Sequence, residues 1–140
     1  MYQILLNLHH YLAYVVLILL AWAIINGIIG TYTAKVWENN HRKVNLFALI
    51  AVHTMLLLGI SLLVLAMGNA DMAAVIKTAA GRKQYMEHPV IGIIAAVLVT
   101  IGNVRSKKAI GNGKKFKNTM IFYGLALVIV LSRLPFEKLF

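Results

Sequence analysis

The stretch LNLHHYLAYVVLILLAWAIINGIIG, residues 6–30, contains no formally charged side chain. A helix needs about 20 apolar residues to cross the hydrocarbon core of a bilayer, so this run is long enough to span one. It is also too long for the apolar region of a signal peptide. Of the 140 residues, 61% are hydrophobic and 13% are charged. So small a globule cannot bury that much apolar surface, and we expect the chain to lie in a lipid bilayer.

Four apolar runs in the chain are candidates for membrane spans. Because backbone amides in lipid must be satisfied without water, we expect each run to be helical. The connections between the runs are short, which favours antiparallel neighbours. The sequence therefore predicts an all-α fold, in which residues 1–140 form one integral-membrane, up-down four-helix bundle. The predicted helices are 3–32, 44–67, 89–104 and 118–134.

Charges in the connections predict the orientation of the bundle. The third connection, RSKKAIGNGKKFKN, is rich in Lys and Arg and has no acid, and the first connection is also basic. The positive-inside rule places both in the cytoplasm and both termini outside, in a multi-pass protein of the inner membrane. His41 lies in the first connection, where we expect it to be solvated. Topology and lipid contact explain the net charge of +10, so nucleic acid is not an expected partner.

The second connection is the longest, and we expect it to carry a short helix over residues 71–80. Asp71 is the candidate N-cap of that helix, and Gly81 is the candidate residue at its end. This helix can lie on the outer membrane surface and cover part of the bundle.

Three histidines are predicted to share one level of the bundle. At 1.5 Å per helical residue, His9, His10 and His88 all lie near the outer ends of helices 1 and 3. These two helices face each other diagonally in a four-helix bundle, and two facing imidazoles can fill both axial positions of a haem iron. His9 shares its helical stripe with small residues, which mark inward faces in membranes, so we predict His9 and His88 as the ligands. His10 is then an interfacial neighbour.

Other residues are predicted to complete this site. Gly92 lies one turn from His88, where the absence of a side chain leaves room for a flat macrocycle. Arg82, Lys83 and Arg133 lie at the same level, and arginine pairs well with carboxylates such as haem propionates. The alternative for these cations is that they extend from the bundle to the membrane interface.

His53 lies deep in the second apolar run and does not match the level of His88. An ionisable residue at such a depth indicates a function. Four roles stay open: supporting a haem ligand from behind, lining a quinone pocket, binding a second haem as an unpaired ligand, or forming a hydrogen bond to a neighbouring helix. The candidate partners for that hydrogen bond are Asn26, Thr100 and Tyr123.

Four segments carry a resemblance to a known group of proteins: LHHYLAYVVLILL, FALIAVHTMLLLG, MEHPVIGIIAAVLVTIGNVRSKK and FYGLALVIVLSRLPF. They resemble the small four-helix, cytochrome b-like membrane proteins of Bacteroidota, and more loosely the bundles of cytochrome b561 and haem A synthase. The resemblance implies one haem b held by histidines, and it supports His9, His53 and His88. Some of these proteins carry a histidine where this chain has Thr100, which speaks against a second haem at His53.

The sequence leaves other functions open. The first hypothesis is an electron-transferring cytochrome, with a quinone and another redox protein as candidate partners. The second is a non-haem scaffold subunit or a small proton or solute carrier. A third is a zinc or copper site built from His9, His10 and His88, because imidazole suits both metals. The chain has four acids and no hydrolase or transferase motif, so oxidoreductase is the expected enzyme class if it is an enzyme.

Overall fold

The computed structural model of this chain describes residues 2–69, 72–75 and 77–132. Within those residues all regular structure is helical, which confirms the predicted all-α class. Four helical segments are long and apolar enough to cross a bilayer, so the chain is a multi-pass membrane protein. The elements are α1 Tyr2–Thr33, α2 Asn39–Asn69, α3 Met72–Val75, α4 Ala79–Arg82, a π-helical turn Lys83–Glu87, α5 His88–Lys108 and α6 Asn112–Ser132.

The four long helices form an antiparallel bundle. Helix α1 packs against α2 and α6, and α5 packs against the same two helices. Helices α1 and α5 therefore face each other diagonally across the centre. One end of the bundle carries the α1–α2 and α5–α6 connections and is called the basic end here. The other end carries His9 and His88 and is called the histidine end.

Small side chains of α1 and α5 form the centre of the bundle. The buried face of α1 includes Ala13, Val16, Leu20 and Ala23, which is the stripe that the sequence predicted to run through His9. The opposite face exposes large apolar side chains such as Trp22, which is 53% exposed. Apolar side chains can remain exposed around the whole bundle when lipid surrounds it, because contact between apolar side chains and lipid costs no free energy.

Helices α1 and α6 approach each other most closely near the basic end. A Cβ added to Gly27 would lie 2.9 Å from the backbone nitrogen of Met120, and one added to Gly30 would overlap the ring of Phe116. Glycines permit such close helix packing in membranes. This half of the bundle is therefore closed tightly.

A buried polar network joins three helices in the same half. The Asn45 amide donates to Oγ1 of Thr119 over 2.8 Å, and the hydroxyls of Ser106 and Thr119 are 2.9 Å apart. The Tyr123 hydroxyl donates to the Asn45 carbonyl over 2.8 Å. Because these partners come from α2, α5 and α6, the network fixes how those helices pack. Tyr123, one of the candidate partners of His53, thus donates its hydrogen bond to Asn45, and His53 is hydrogen-bonded to other residues.

The expectation that His41 is solvated was wrong. His41 is 3% exposed, and its ring packs against Trp37 and Phe116. Its Nδ1 accepts a hydrogen bond of 3.0 Å from the backbone N–H of Glu38, while the Glu38 carbonyl accepts from the N–H of His41. His41 therefore takes the place that Glu or Gln has in a capping box at the start of α2.

The segment before α5 also differs from the prediction. The predicted helix over 71–80 is divided into α3 and α4, and Asp71 lies outside the described residues. Thr78 is the N-cap of α4, since its hydroxyl accepts from the N–H of Gly81 over 2.9 Å. Gly81 lies inside α4 and not at the end of a helix. A glycine is needed at this position, because a Cβ would overlap the Val75 carbonyl. Helix α4 then continues through the π-helical turn into α5, so the third span begins at Ala79.

Candidate functional site

His9 of α1 and His88 of α5 meet across the bundle. Their ring centroids are 6.2 Å apart, and the ring planes are inclined by 76°. Both side chains are half-buried. The prediction from helical rise that these two residues share one level agrees with this contact.

The geometry of this pair can be compared with that of two axial ligands. With each imidazole nitrogen about 2.0 Å from a metal, as in zinc–imidazole bonds, the two ring centroids lie roughly 6 Å apart. The observed separation of 6.2 Å fits that arrangement. Two coordinating rings can be parallel or crossed, so the inclination of the planes is compatible with it.

The position of His9 depends on a glycine of α2. A Cβ added to Gly59 would lie 3.3 Å from Cε1 of His9, closer than most side-chain contacts. Nδ1 of His9 is fully buried and has no hydrogen-bond partner among the described residues. A buried polar atom left without a partner costs free energy, and such atoms in native proteins call for a functional explanation.

His88 follows directly on the π-helical turn. Its backbone N–H donates to the carbonyl of Lys83, five residues earlier. His88 was expected just before the start of the third predicted helix, 89–104, and it lies instead inside a continuous helix whose turn is locally widened. Single π-helical turns are frequent at functional sites, since they aim a side chain differently from the regular helix.

A cavity of about 310 Å³ surrounds the two histidines at the histidine end. This volume is within the range of ligand-binding pockets, roughly 300–1,000 Å³. All four long helices contribute to its walls, which are mostly aliphatic, and none of its described lining residues is acidic. Gly92 lines this cavity as predicted, and a Cβ there would only reach van der Waals distance, 3.5 Å, from Leu56.

The structure describes two of the three predicted cations, Arg82 and Lys83, and these two have different surroundings. Both residues are exposed, but Lys83 lines the cavity, whereas the guanidinium of Arg82 donates to the Lys77 carbonyl over 3.0 Å. Lys83 is therefore better placed than Arg82 to meet an anionic group in the cavity. Arg133 lies outside the described residues.

His10 also lines the cavity, and its ring packs against those of Tyr14 and Tyr11. The centroid of the His10 ring is 5.6 Å from that of Tyr14. The aromatic rings that His10 contacts belong to its own helix, α1, whereas the ring of His9 contacts that of His88 in α5. The two adjacent histidines therefore differ in the residues that their rings contact.

His53 lies outside this cavity. Its Nδ1 is 2.8 Å from the Leu49 carbonyl, and its Nε2 is 3.2 Å from the Thr100 hydroxyl. Thr100 was one of the three partners considered from the sequence. The pair faces a separate groove between α2 and α5.

Two residues of the site were missed by sequence reasoning. Gly59 is the neighbour of His9, and Leu56 lines both the cavity and the groove. Counting residues along the second span could have indicated Gly59, because Gly59 lies at the same depth as His9. The rotation of α2 about its axis, which brings both residues to the site, is not visible in an apolar run without polar markers.

Within the part of the chain that the structure describes, no three His, Cys, Asp or Glu residues come together as a metal site. A zinc or copper site of His9, His10 and His88 thus gains no support. An iron held in a macrocycle needs only two protein ligands.

No protein-family model, no curated protein and no solved structure matches this chain.

Proposed function

We propose that the cavity at the histidine end binds one haem b, with His9 and His88 as its two axial ligands. The observation that carries this proposal is the pair of rings from diagonal helices, with centroids 6.2 Å apart inside a cavity. A bound haem b supplies reversible one-electron chemistry at its iron. Two histidine ligands leave no open position on that iron, which favours electron transfer over oxygen chemistry.

The chain's own residues supply position and environment. The aliphatic walls exclude water, and a low dielectric constant around the site strengthens every electrostatic interaction within it. Gly59 and Gly92 leave space beside the two histidines. Lys83 is the cation placed to pair with a carboxylate at the edge of the cavity.

We further propose that the protein is a cytochrome of the inner membrane that takes electrons from a lipid-soluble quinol. The basic end would face the cytoplasm, following the positive-inside rule, and the histidine end and both termini the outside. An electron would then leave toward an acceptor at the outer face. The cations at the basic end are Lys35, Arg42, Lys43, Arg105, Lys107, Lys108, Lys114, Lys115 and Lys117.

The test is the visible spectrum of the purified protein, oxidised and then reduced with dithionite, together with a pyridine haemochrome count. We expect a sharp reduced α band and one haem b per chain. His9→Ala and His88→Ala should each lose the six-coordinate low-spin spectrum. The matched control is His10→Ala, which removes the adjacent histidine and should keep that spectrum.

Adding imidazole separates ligation from folding. Free imidazole should restore the low-spin spectrum of His88→Ala, because it replaces the missing ligand in the space left behind. An unchanged spectrum in His88→Ala would contradict the assignment of ligands. A chain that stays colourless when haem is supplied during expression would end the cytochrome proposal and leave a non-haem scaffold or carrier.

A further inference from the structure

A second concavity, of about 320 Å³, lies on the lipid-facing side of the contact between α2 and α5. Exposed apolar side chains form its walls, among them Ile93, Val97 and Ile101. His53 and Thr100 are the two polar side chains among its described lining residues. We call this concavity the lateral groove.

The hydrogen bonds of His53 determine which nitrogen carries a hydrogen. The Leu49 carbonyl, 2.8 Å from Nδ1, can only accept, so Nδ1 carries a hydrogen. The tautomer with a single ring hydrogen then has its lone pair on Nε2. Thr100 has one hydroxyl hydrogen and two acceptors within reach. These are the Ala96 carbonyl at 2.7 Å and Nε2 of His53 at 3.2 Å. Because the carbonyl is the closer acceptor, Nε2 receives at most a long, shared hydrogen bond.

Among the described residues that line the groove, His53 and Thr100 carry the polar side chains, so Thr100 is the one side-chain donor near Nε2. His53 lies near the midpoint of α2, Asn39–Asn69, and the groove opens toward the region of the acyl chains. Lipid chains cannot donate a hydrogen bond, so an acceptor at this depth is satisfied only by a molecule that brings its own donor. That molecule must also be soluble in the bilayer, because the groove is reached from the lipid.

The groove is also next to the central cavity. Leu56 lines both spaces, so a molecule in the lateral groove and one in the cavity of His9 and His88 would both contact this residue. Among bilayer-soluble molecules with a hydroxyl, a redox-active one is the kind for which a position beside the proposed haem cavity would have a function.

We propose that the lateral groove binds the hydroxylated ring of a lipid-soluble quinol, whose O–H donates to Nε2 of His53. The purpose of such a site rests on the cytochrome function proposed above, while the binding itself does not require haem. Because Nε2 receives only a long, shared hydrogen bond from Thr100, the groove is also predicted to prefer the reduced, hydroxyl-bearing form over the quinone, which has no hydrogen to donate.

The experiment uses the full chain in lipid nanodiscs, prepared without haem and with haem. A tritiated short-tailed benzoquinol is kept reduced without oxygen, and its binding is measured by equilibrium dialysis. The control ligand is the dimethyl ether of the same compound, which keeps the ring and tail but has no O–H. We expect saturable binding of the quinol in both preparations and at least tenfold weaker binding of the ether.

Two variants locate the interaction. His53→Leu should weaken quinol binding at least tenfold and remove the preference over the ether. Thr100→Val should leave quinol affinity within about threefold, because the Thr100 hydroxyl has the Ala96 carbonyl as its closer partner. The comparison of the two ligands on the unmodified chain holds even if a variant fails to fold.

The outcomes distinguish this inference from the proposed function. Equal binding of quinol and ether, or full binding by folded His53→Leu, would overturn it and leave a groove for acyl chains only. Quinol binding by a chain that never takes up haem would support the groove and reject the cytochrome. Haem uptake without saturable quinol binding would do the reverse.

Discussion

At the scale of single residues, the neighbouring cations Arg82 and Lys83 differ in what they contact. The guanidinium of Arg82 donates to the Lys77 carbonyl, whereas Lys83 lines the cavity. Hydrogen bonds to charged groups are worth about 1.5–3 kcal/mol, so a cation that meets a carboxylate in this cavity has a measurable effect.

We therefore expect Lys83→Ala to release haem roughly tenfold faster than the unmodified chain, a change of about 1.4 kcal/mol. Transfer of haem to excess apomyoglobin measures this rate. Arg82→Ala is the matched control and should release haem at nearly the unmodified rate. Equal acceleration in both variants would show that general charge, rather than position in the cavity, retains the haem.

Single residues also show what the sequence could predict of the site. Level along a helix follows from counting, so the meeting of His9 with His88 was predictable, as was the choice of His9 over His10 from its small-residue stripe. The choice between Arg82 and Lys83 was not, because it depends on the π-helical turn that begins at Lys83. That turn has no pattern in the sequence that distinguishes it from a regular helix.

At the scale of helices, the contact between α1 and α6 depends on the absence of a side chain at Gly27. A Cβ there would lie 2.9–3.0 Å from the backbone of Met120, which cannot move without moving α6. By contrast, a Cβ on Gly124 of α6 would have no atom within 4 Å. The two glycines thus allow the same substitution to be made at a crowded position and at an open one.

Gly27→Ala is expected to destabilise the folded protein by roughly 1–3 kcal/mol, the usual cost of overpacking. Gly124→Ala should be neutral or stabilise by about 0.5–1 kcal/mol, because alanine has the better helix propensity. Reversible unfolding in mixed micelles with rising SDS gives both values. Similar losses in the two variants would mean that α1 and α6 are not held together at Gly27.

The helices themselves were predictable to different degrees. The uncharged run predicted α1 to within one residue at each end, because lipid demands apolar residues throughout a span. Helix α2 begins five residues before its predicted start at 44, because its first turn, NNHRK, is polar. The start of the third span was placed too late, since Pro89 suits a first helical turn and the residues before it are polar. The helix nevertheless continues back to Ala79 through the π-helical turn Lys83–Glu87, and Pro89 follows directly on the first residue after that turn.

At the scale of the whole molecule, the chain contains no cysteine, so a single introduced thiol reports its own location. Ile110 is 89% exposed in the α5–α6 connection at the basic end, and Lys77 is exposed at the histidine end. These two positions test the proposed orientation without further changes to the chain.

In intact spheroplasts, a membrane-impermeant maleimide should label Lys77→Cys at once. It should label Ile110→Cys only after the membrane is permeabilised. The unmodified chain is the control and should take up no label. The opposite pattern would place the basic end outside and reverse the proposed direction of electron flow.

The architecture of the whole bundle was predictable because four apolar runs joined by short connections allow few arrangements. How tightly each end is closed was not predictable, because it depends on side chains that meet across helices. Thr119 can contact both Asn45 and Ser106 only when three helices have packed together. A sequence pattern along one helix cannot show such a network.

The unequal closure of the two ends has a consequence for assembly in the cell. The glycine contact and the polar network complete the basic end with groups from this chain alone, whereas the histidine end surrounds a space. A newly inserted chain can therefore adopt its fold first and take up a ligand afterwards through the end that is still open. Synthesis of the protein and supply of the proposed haem then need not coincide in time.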